Sequence, residues 1–346
     1  VSNSPQDEIP PQSVGPYLIE GELGRGAMGV VYAGRHKQLQ MPVAVKLFAA
    51  KAEHAGSAQR FVNEARTAAR IESVHLVRIF ECGLVGEQPW YAMELTDSSL
   101  GERIKALKGA PLPEEEVLQI ATGVARALVA AVKAGAVHRD IKPDNIMMAR
   151  DGLWKLADLG LARPAAGLYE GHITAAGSGL GTPAYLAPEQ ALDARSADSR
   201  SDIYGLGCTL FHAATGRLPF TSIDTSMLLR QHAVLPPDDP RKFNLKLSQG
   251  TASLILRCME KDPSRRFQTP AELEAAAYAL LKPMIGRPVH QNTVSSIQVP
   301  PTLSGSFKAD EAPPRRARPV GLILVASLLL LIAILLILMI GTNGKS

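Results

Sequence analysis

The sequence predicts an α+β domain joined through a Pro-rich linker to one C-terminal transmembrane helix. Three observations carry this expectation. β-Branched and aromatic residues flank a glycine-rich turn at residues 23–32 and recur at residues 43–46, as strands require. Phe61, Glu64, Ala65 and Ala68 then repeat at helical spacing, and residues 320–340 form an almost unbroken apolar run.

Composition narrows the classes of function. The formal net charge is only +4 over 346 residues, and Lys and Arg are scattered instead of forming a basic block, which argues against nucleic acid as a partner. Cys82, Cys208 and Cys258 are far apart, odd in number and without Cys-x-x-Cys spacing. They suggest neither a disulfide framework nor a zinc site and read as buried, reduced thiols. Of the 8 histidines only His138 sits in a motif, so metal chemistry through His or Cys is not expected.

In chain order, residues 1–16 read as a flexible arm. Residues 1–11 lack the basic start and apolar run of a signal peptide, which places the N-terminus in the cytoplasm. Strand patterning begins at Tyr17-Leu18-Ile19 and opens the folded domain. The turn that follows, Leu23-Gly24-Arg25-Gly26-Ala27-Met28-Gly29, has G-x-G-x-x-G spacing. That spacing also occurs in dinucleotide-binding turns, where the third glycine opens a helix. Here Val30-Val31-Tyr32 continues as a strand would, so a strand-turn-strand flap over phosphates fits better. Val43-Ala44-Val45-Lys46 is a short apolar strand whose lysine points inward with Ala44. Glu64 lies on the apolar face of the next helix, where it is a natural partner for Lys46 and leaves the ammonium to hold phosphates. The plainer alternative for Glu64 is a surface carboxylate.

The most specific chemistry lies in His138-Arg139-Asp140-Ile141-Lys142-Pro143-Asp144-Asn145, followed by a strand-like stretch from Trp154 to Ala157 and then Asp158-Leu159-Gly160. Short polar strings recur by chance. An Asp with Lys and Asn at offsets of two and five, and a second Asp after a short strand, is far more restrictive. Asp140 can accept a hydroxyl proton, Lys142 can neutralise charge on a moving phosphoryl group, and Asn145 with Asp158 can offer oxygens to magnesium.

On these motifs residues 17–283 resemble a eukaryotic-type (Hanks-type) protein kinase domain, of the kind found in bacterial membrane receptor kinases. The resemblance implies a bilobal fold, with a small β-rich lobe, a larger helical lobe and ATP between them. It implies that Leu23, Val31 and Ala44 roof the adenine and Met147 floors it. Met93 resembles the gatekeeper, the Glu94 and Thr96 backbones would bond the adenine edge, and Gly24, Gly26, Gly29 and Lys46 would hold the triphosphate, with Glu64 bracing Lys46. Thr96-Asp97-Ser98-Ser99-Leu100 departs from the pattern, being a residue shorter than the usual hinge-to-helix connection and lacking its glycine.

Lys142, together with Gly181-Thr182-Pro183-Ala184-Tyr185-Leu186-Ala187-Pro188-Glu189, resembles serine/threonine kinases. Leu159 stands where Phe is commoner. By the same resemblance Glu189 would pair with Arg266, and Asp202 would hold the catalytic-loop backbone. Arg139 beside Asp140 invites a phosphate from the activation segment, with Thr174 and Ser178 as acceptors. The implied cofactors are ATP and Mg2+, with Mn2+ able to substitute, and the implied partners are protein substrates and a second kinase copy for autophosphorylation. A nucleotide-binding scaffold would lack one of Lys46, Asp140, Asn145 or Asp158, and all four are present. A small-molecule kinase of related fold is disfavoured by residues 181–189, which resemble a peptide-docking platform.

Residues 284–319 turn to Pro, Ser, Thr and Gly, with Pro300-Pro301 and Pro313-Pro314, and read as a juxtamembrane linker. Residues 320–340 would make a helix of roughly 32 Å at 1.5 Å per residue, long enough to cross a bilayer and more uniformly apolar than a buried core helix. Arg315, Arg316 and Arg318 crowd its N-terminal flank against Lys345 beyond it, which predicts a single pass with the large domain cytoplasmic and the lipid bilayer as a partner. Residues 341–346 are a short tail. The chain is expected to be either tail-anchored or part of a longer protein.

Overall fold

Alternating apolar and polar residues at the start of the chain build an antiparallel sheet. In the computed structural model, which describes residues 11–26, 29–48, 65–86, 88–159, 183–193 and 196–285, its strands run in the order β1-β2-β3-β4-β6-β5. They are β1 (Ser13–Val14), β2 (Tyr17–Gly26), β3 (Gly29–His36), β4 (Pro42–Phe48), β5 (Ile79–Val85) and β6 (Gln88–Glu94). Strand β4 is central and packs on both faces. Val43 and Val45 meet Val14, Tyr17, Trp90 and Ala92 on one side. On the other, Phe48 packs with Ala65 and Tyr91. Ala65 opens the helical residues 65–69, so the predicted helix is present there, while Phe61 and Glu64 lie outside the described residues.

The arm expected over residues 1–16 is corrected at its end. Ser13 and Val14 pair with Leu18 and Tyr17, and Val14 is 1% exposed, so the sheet starts before Tyr17. Burial of one valine beneath Tyr17 and Trp90 decides this; two residues are too few for any period to reveal. The glycine-rich turn joins β2 to β3 with Gly26 opposite Gly29. Gly29 has φ +141°, and a Cβ there would stand 2.1 Å from the Leu47 carbonyl oxygen, so only glycine fits.

Among the described residues seven helices follow: α1 (Leu100–Ala106), α2 (Glu114–Lys133), α3 (Pro188–Leu192), α4 (Ser199–Thr215), α5 (Thr225–Val234), α6 (Gln249–Cys258) and α7 (Pro270–Leu281). Ser99 caps α1 in a capping box with Glu102. Helix α2 starts with Glu114, Glu115 and Glu116 and ends in Lys133, which matches its dipole. It buries Val117, Ile120, Val124 and Leu128 against α4 and α7. Helix α4 has 14 of its 17 residues buried, so it is the axis of the helical part and not a surface helix. Cys208 and Cys258 are buried thiols, whereas Cys82 is only partly covered.

A second sheet, β7 (Ser98–Ser99), β8 (Ile146–Met148) and β9 (Trp154–Leu156), lies under the hinge segment. The strand expected between Trp154 and Ala157 is β9. The chain divides into two units, residues 1–288 and 289–346, and the described residues all belong to the first. Among the described residues no helix is long and apolar enough to cross a membrane. The predicted span at residues 320–340 lies outside them, as do the linker beyond 285 and the activation-segment residues Thr174, Ser178 and Thr182.

Candidate active site

The β8–β9 hairpin aligns the polar residues of the two central motifs. Ile146 pairs with Leu156, and the Ala157 N–H donates to the Asn145 carbonyl at 2.8 Å, extending the ladder by one step. Asn145 and Asp158 therefore emerge at the same end of the hairpin. Asp158 adopts φ +57°, a left-handed conformation that Asp tolerates better than most residues and that turns the chain out of the strand.

The side chains of Lys142 and Asn145 meet at Asp140. The Lys142 ammonium lies 2.9 Å from Asp140 Oδ2. Asn145 Nδ2 donates to the Asp140 carbonyl at 2.7 Å and to Oδ2 at 3.1 Å. Both amide hydrogens of Asn145 are thus engaged on Asp140, which turns its Oδ1 away from that carboxylate. Lysine, asparagine and aspartate are held as one cluster, as their spacing suggested.

The backbone under this cluster is held by buried groups. Asp202, on α4, accepts the His138 N–H at 2.8 Å and the Arg139 N–H at 2.6 Å. Arg139 has φ +66°, a conformation costly for an arginine, and the two bonds to Asp202 help to hold it. The Gln190 amide adds a bond to the Arg139 carbonyl at 3.1 Å. Burial pushes the Asp202 carboxyl above its ordinary range, against the pull of His138, Arg139 and their N–H groups. His138, 1% exposed, accepts the Asp140 N–H at Nδ1, so its proton belongs on Nε2, which donates to the Ala157 carbonyl at 2.7 Å. One imidazole ties the loop of Asp140 to the residue before Asp158. Asp202→Asn replaces one acceptor oxygen by an amine facing an N–H, and is expected to lower kcat by roughly tenfold or more at unchanged nucleotide affinity. Steady-state kinetics with a parallel nucleotide titration check this.

Lys46 faces Asp158. Its ammonium pairs with Asp158 Oδ2, and the Tyr91 hydroxyl donates to Oδ1. Burial raises the cost of charge on Asp158, but the Lys46 ammonium and the bonds from Lys46 and Tyr91 outweigh it and hold the carboxyl below its usual range. The expected Lys46–Glu64 pair falls on a residue outside the described ones. Neither Tyr91 nor the Lys155 ammonium, 2.6 Å from Glu94 Oε1, was anticipated from sequence. The available signal was strand alternation, which places Tyr91 on the same face as Met93.

The expected adenine-binding residues are spread over β2, β3, β4, β6 and β8 and the segment after β6. Ala44 is 4% exposed and pairs directly with Met93, while Val31 stands opposite Lys46. Leu23 is exposed, and Met147 lies on β8 opposite Lys155. Gly24 pairs with Val31 and Gly26 with Gly29, so the flap adjoins β3, the neighbour of the strand that bears Lys46. The Glu94 N–H is bonded to the Arg78 carbonyl at 2.9 Å, which leaves its own carbonyl for an adenine contact. Beyond Thr96, the Asp97 N–H donates to Met148 at 2.9 Å, so the short connection is pinned to the small sheet.

Among the described residues no three His, Cys, Asp or Glu side chains cluster as a metal cage. The hard oxygens of Asp158 and Asn145 fit magnesium, which binds through one or two protein oxygens plus substrate phosphates. Farther away, the Glu189–Arg266 pair forms as the resemblance implied, with Nη1–Oε1 2.6 Å and Nη2–Oε2 2.9 Å.

Comparison with known proteins agrees with this geometry. Residues 17–278 match the protein kinase domain family model. The chain is 36% identical over 283 residues to the serine/threonine-protein kinase Pkn1 of Myxococcus xanthus, covering 80% of this chain and 40% of that protein. It is 35% identical over 286 residues to the serine/threonine-protein kinase PknL of Mycobacterium tuberculosis, covering 80% of this chain and 69% of that protein. A probable serine/threonine-protein kinase of Clostridium acetobutylicum is 35% identical over 263 residues, covering 74% of this chain and 38% of that protein. The chain thus spans less than half the length of two of these relatives. With the family model covering most of the sequence, the chain belongs to the protein kinase domain family.

Proposed function

We propose that this chain is a serine/threonine protein kinase that transfers the γ-phosphoryl group of ATP to protein hydroxyls at the cytoplasmic face of a membrane. The observation that carries the reading is the Asp140–Lys142–Asn145 cluster, held by Asp202 and His138 and set beside Asp158. In the proposed step Asp140 orients a Ser or Thr hydroxyl and accepts its proton. The hydroxyl oxygen bonds to the γ-phosphorus as the bond to the β–γ bridging oxygen breaks, and ADP leaves. Lys142 neutralises charge on the transferred group. Lys46 and the flap of Gly24, Gly26 and Gly29 position the phosphates, with Glu64 bracing Lys46. Leu23, Val31, Ala44, Met93 and Met147 enclose the adenine, and Glu94 and Thr96 supply its backbone contacts. Asn145 and Asp158 would hold magnesium, which supplies charge neutralisation and a template for the phosphates.

Arg139 supports regulation by phosphorylation. Its Nε is buried without a hydrogen-bond partner among the described residues, which suits a phosphate arriving on Thr174 or Ser178, transferred between two copies of the chain. The apolar run at residues 320–340 and its arginine flank support a single-pass anchor. Both parts are tested together by fractionating cells that express the chain. Transfer from ATP to Ser- and Thr-containing peptides, but not to Tyr-only peptides, is expected in the membrane fraction and should move to the supernatant when residues 320–340 are deleted. Activity on Tyr peptides contradicts the specificity, and activity that stays soluble with the run intact contradicts the anchor.

A further inference from the structure

We propose that Tyr91 is a positioning residue that holds the Asp158 carboxylate for metal-bound nucleotide. The inference rests on the reading of Asp158 as a magnesium ligand. Tyr91 and Lys46 are direct cross-strand partners on β6 and β4, so their side chains rise side by side from one face of the sheet. Both end on the same carboxylate, Lys46 at Oδ2 and Tyr91 at Oδ1.

The two contacts are not equivalent. Lys46 is the group expected to turn towards phosphates when nucleotide arrives, which releases Oδ2. Tyr91 carries no charge that would draw it towards phosphates. It is 1% exposed, and its ring packs on Phe48 with centroids 5.6 Å apart, so its hydroxyl stays where the sheet puts it. A neutral O–H donor also leaves the charge of the carboxylate and the remaining lone pairs of Oδ1 intact. Tyr91 would therefore hold the rotation of the carboxylate once the ammonium leaves Oδ2, keeping Asp158 placed to hold magnesium. Asp158 sits at φ +57° just past the end of β9, where a second anchor for its side chain has most effect.

The test is calorimetric titration of ADP into the full chain, with Mg2+ and with EDTA, for wild type, Tyr91→Phe, Tyr91→Leu and Asp158→Asn. Groups that orient metal ligands typically contribute about 10–100-fold to metal affinity. Tyr91→Phe, which keeps the ring, should lose at least about tenfold of the magnesium-dependent gain in ADP affinity and leave binding in EDTA unchanged. Tyr91→Leu should lose a similar share. If Phe keeps the gain and only Leu loses it, the ring and not the hydroxyl matters, and the proposal is overturned. Equal weakening with and without Mg2+ also overturns it, because the hydroxyl would then serve the fold alone. Retention of the full gain by Asp158→Asn rejects the metal assignment itself, whereas loss in Asp158→Asn with retention in Tyr91→Phe rejects only the role of Tyr91.

Discussion

Asp140→Asn is expected to lower the rate of phosphoryl transfer by about 10²–10⁴-fold, the usual contribution of a positioned general base, while ATP affinity stays nearly unchanged. Asp140 Oδ2 accepts from Lys142 at 2.9 Å and from Asn145 at 3.1 Å, whereas the phosphates are proposed to be held by other residues, the lysine of strand β4 and the glycine flap. Asparagine matches aspartate in shape, so the backbone clamp by Asp202 is kept. It cannot take a proton from a hydroxyl, and its amine faces donors already present on Lys142 and Asn145. Steady-state kinetics and nucleotide titration of the same preparation check the separation of rate from affinity. Near-wild-type turnover would remove Asp140 from the mechanism.

The second large effect concerns stability. Arg266 is 1% exposed and all five of its N–H groups are used. Nε reaches the Glu260 carbonyl at 2.8 Å, Nη1 reaches Glu189 and the Arg200 carbonyl at 2.6 and 2.8 Å, and Nη2 reaches Glu189 and the Lys261 carbonyl at 2.9 and 3.2 Å. Glu189 accepts further from Ser201 at 2.7 Å. Removing one member of such a pair leaves an uncompensated charge and costs about 3–5 kcal/mol. Arg266→Met should therefore lower Tm by roughly 6–20 °C, at 2–4 °C per kcal/mol for a domain of this size. The double change Glu189→Leu with Arg266→Met should recover much of that loss, since no lone charge remains.

The pair also sets a pH dependence. Burial works against the charge of Glu189, but Arg266 and Ser201 prevail and hold its carboxyl below the ordinary 4.5. Its folded-state pKa is depressed, so the contribution is complete above the ordinary carboxylate range and disappears as pH falls below it. In Arg266→Met, Glu189 loses this support and acidification relieves a buried charge. The gap in Tm between wild type and variant should be widest near neutral pH and narrow as pH falls into and through the ordinary carboxylate range. A gap independent of pH down to acid unfolding would contradict the role of Glu189.

What sequence could disclose depends on how local the physics is. Asp140, Lys142 and Asn145 lie within six consecutive residues, and Asp158 follows one short hairpin, so spacing alone brought them together. The flap and the strand of Lys46 were legible because β-branched residues and glycines mark strands and turns over short distances. Strand β1 was not, since two residues carry no period and only the burial of Val14 under Trp90 defines it. The contact of Tyr91 with Asp158 joins residues 67 positions apart and depends on strand register, which local patterning does not fix. Helix α4 lacks an amphipathic stripe because nearly every face is buried, so its part in holding Asp202 against the loop of Asp140 came from family resemblance and not from periodicity.

The cluster at Asp140 is proposed to move the terminal phosphoryl group of ATP onto serine or threonine. Incubation of the purified chain with γ-labelled ATP, Mg2+ and a protein acceptor, followed by acid hydrolysis and separation of phosphoamino acids, tests this most directly. Label in phosphoserine and phosphothreonine, and none with α-labelled ATP, is the predicted result. Label that stays in ATP and inorganic phosphate, or that appears only in phosphotyrosine, would contradict it.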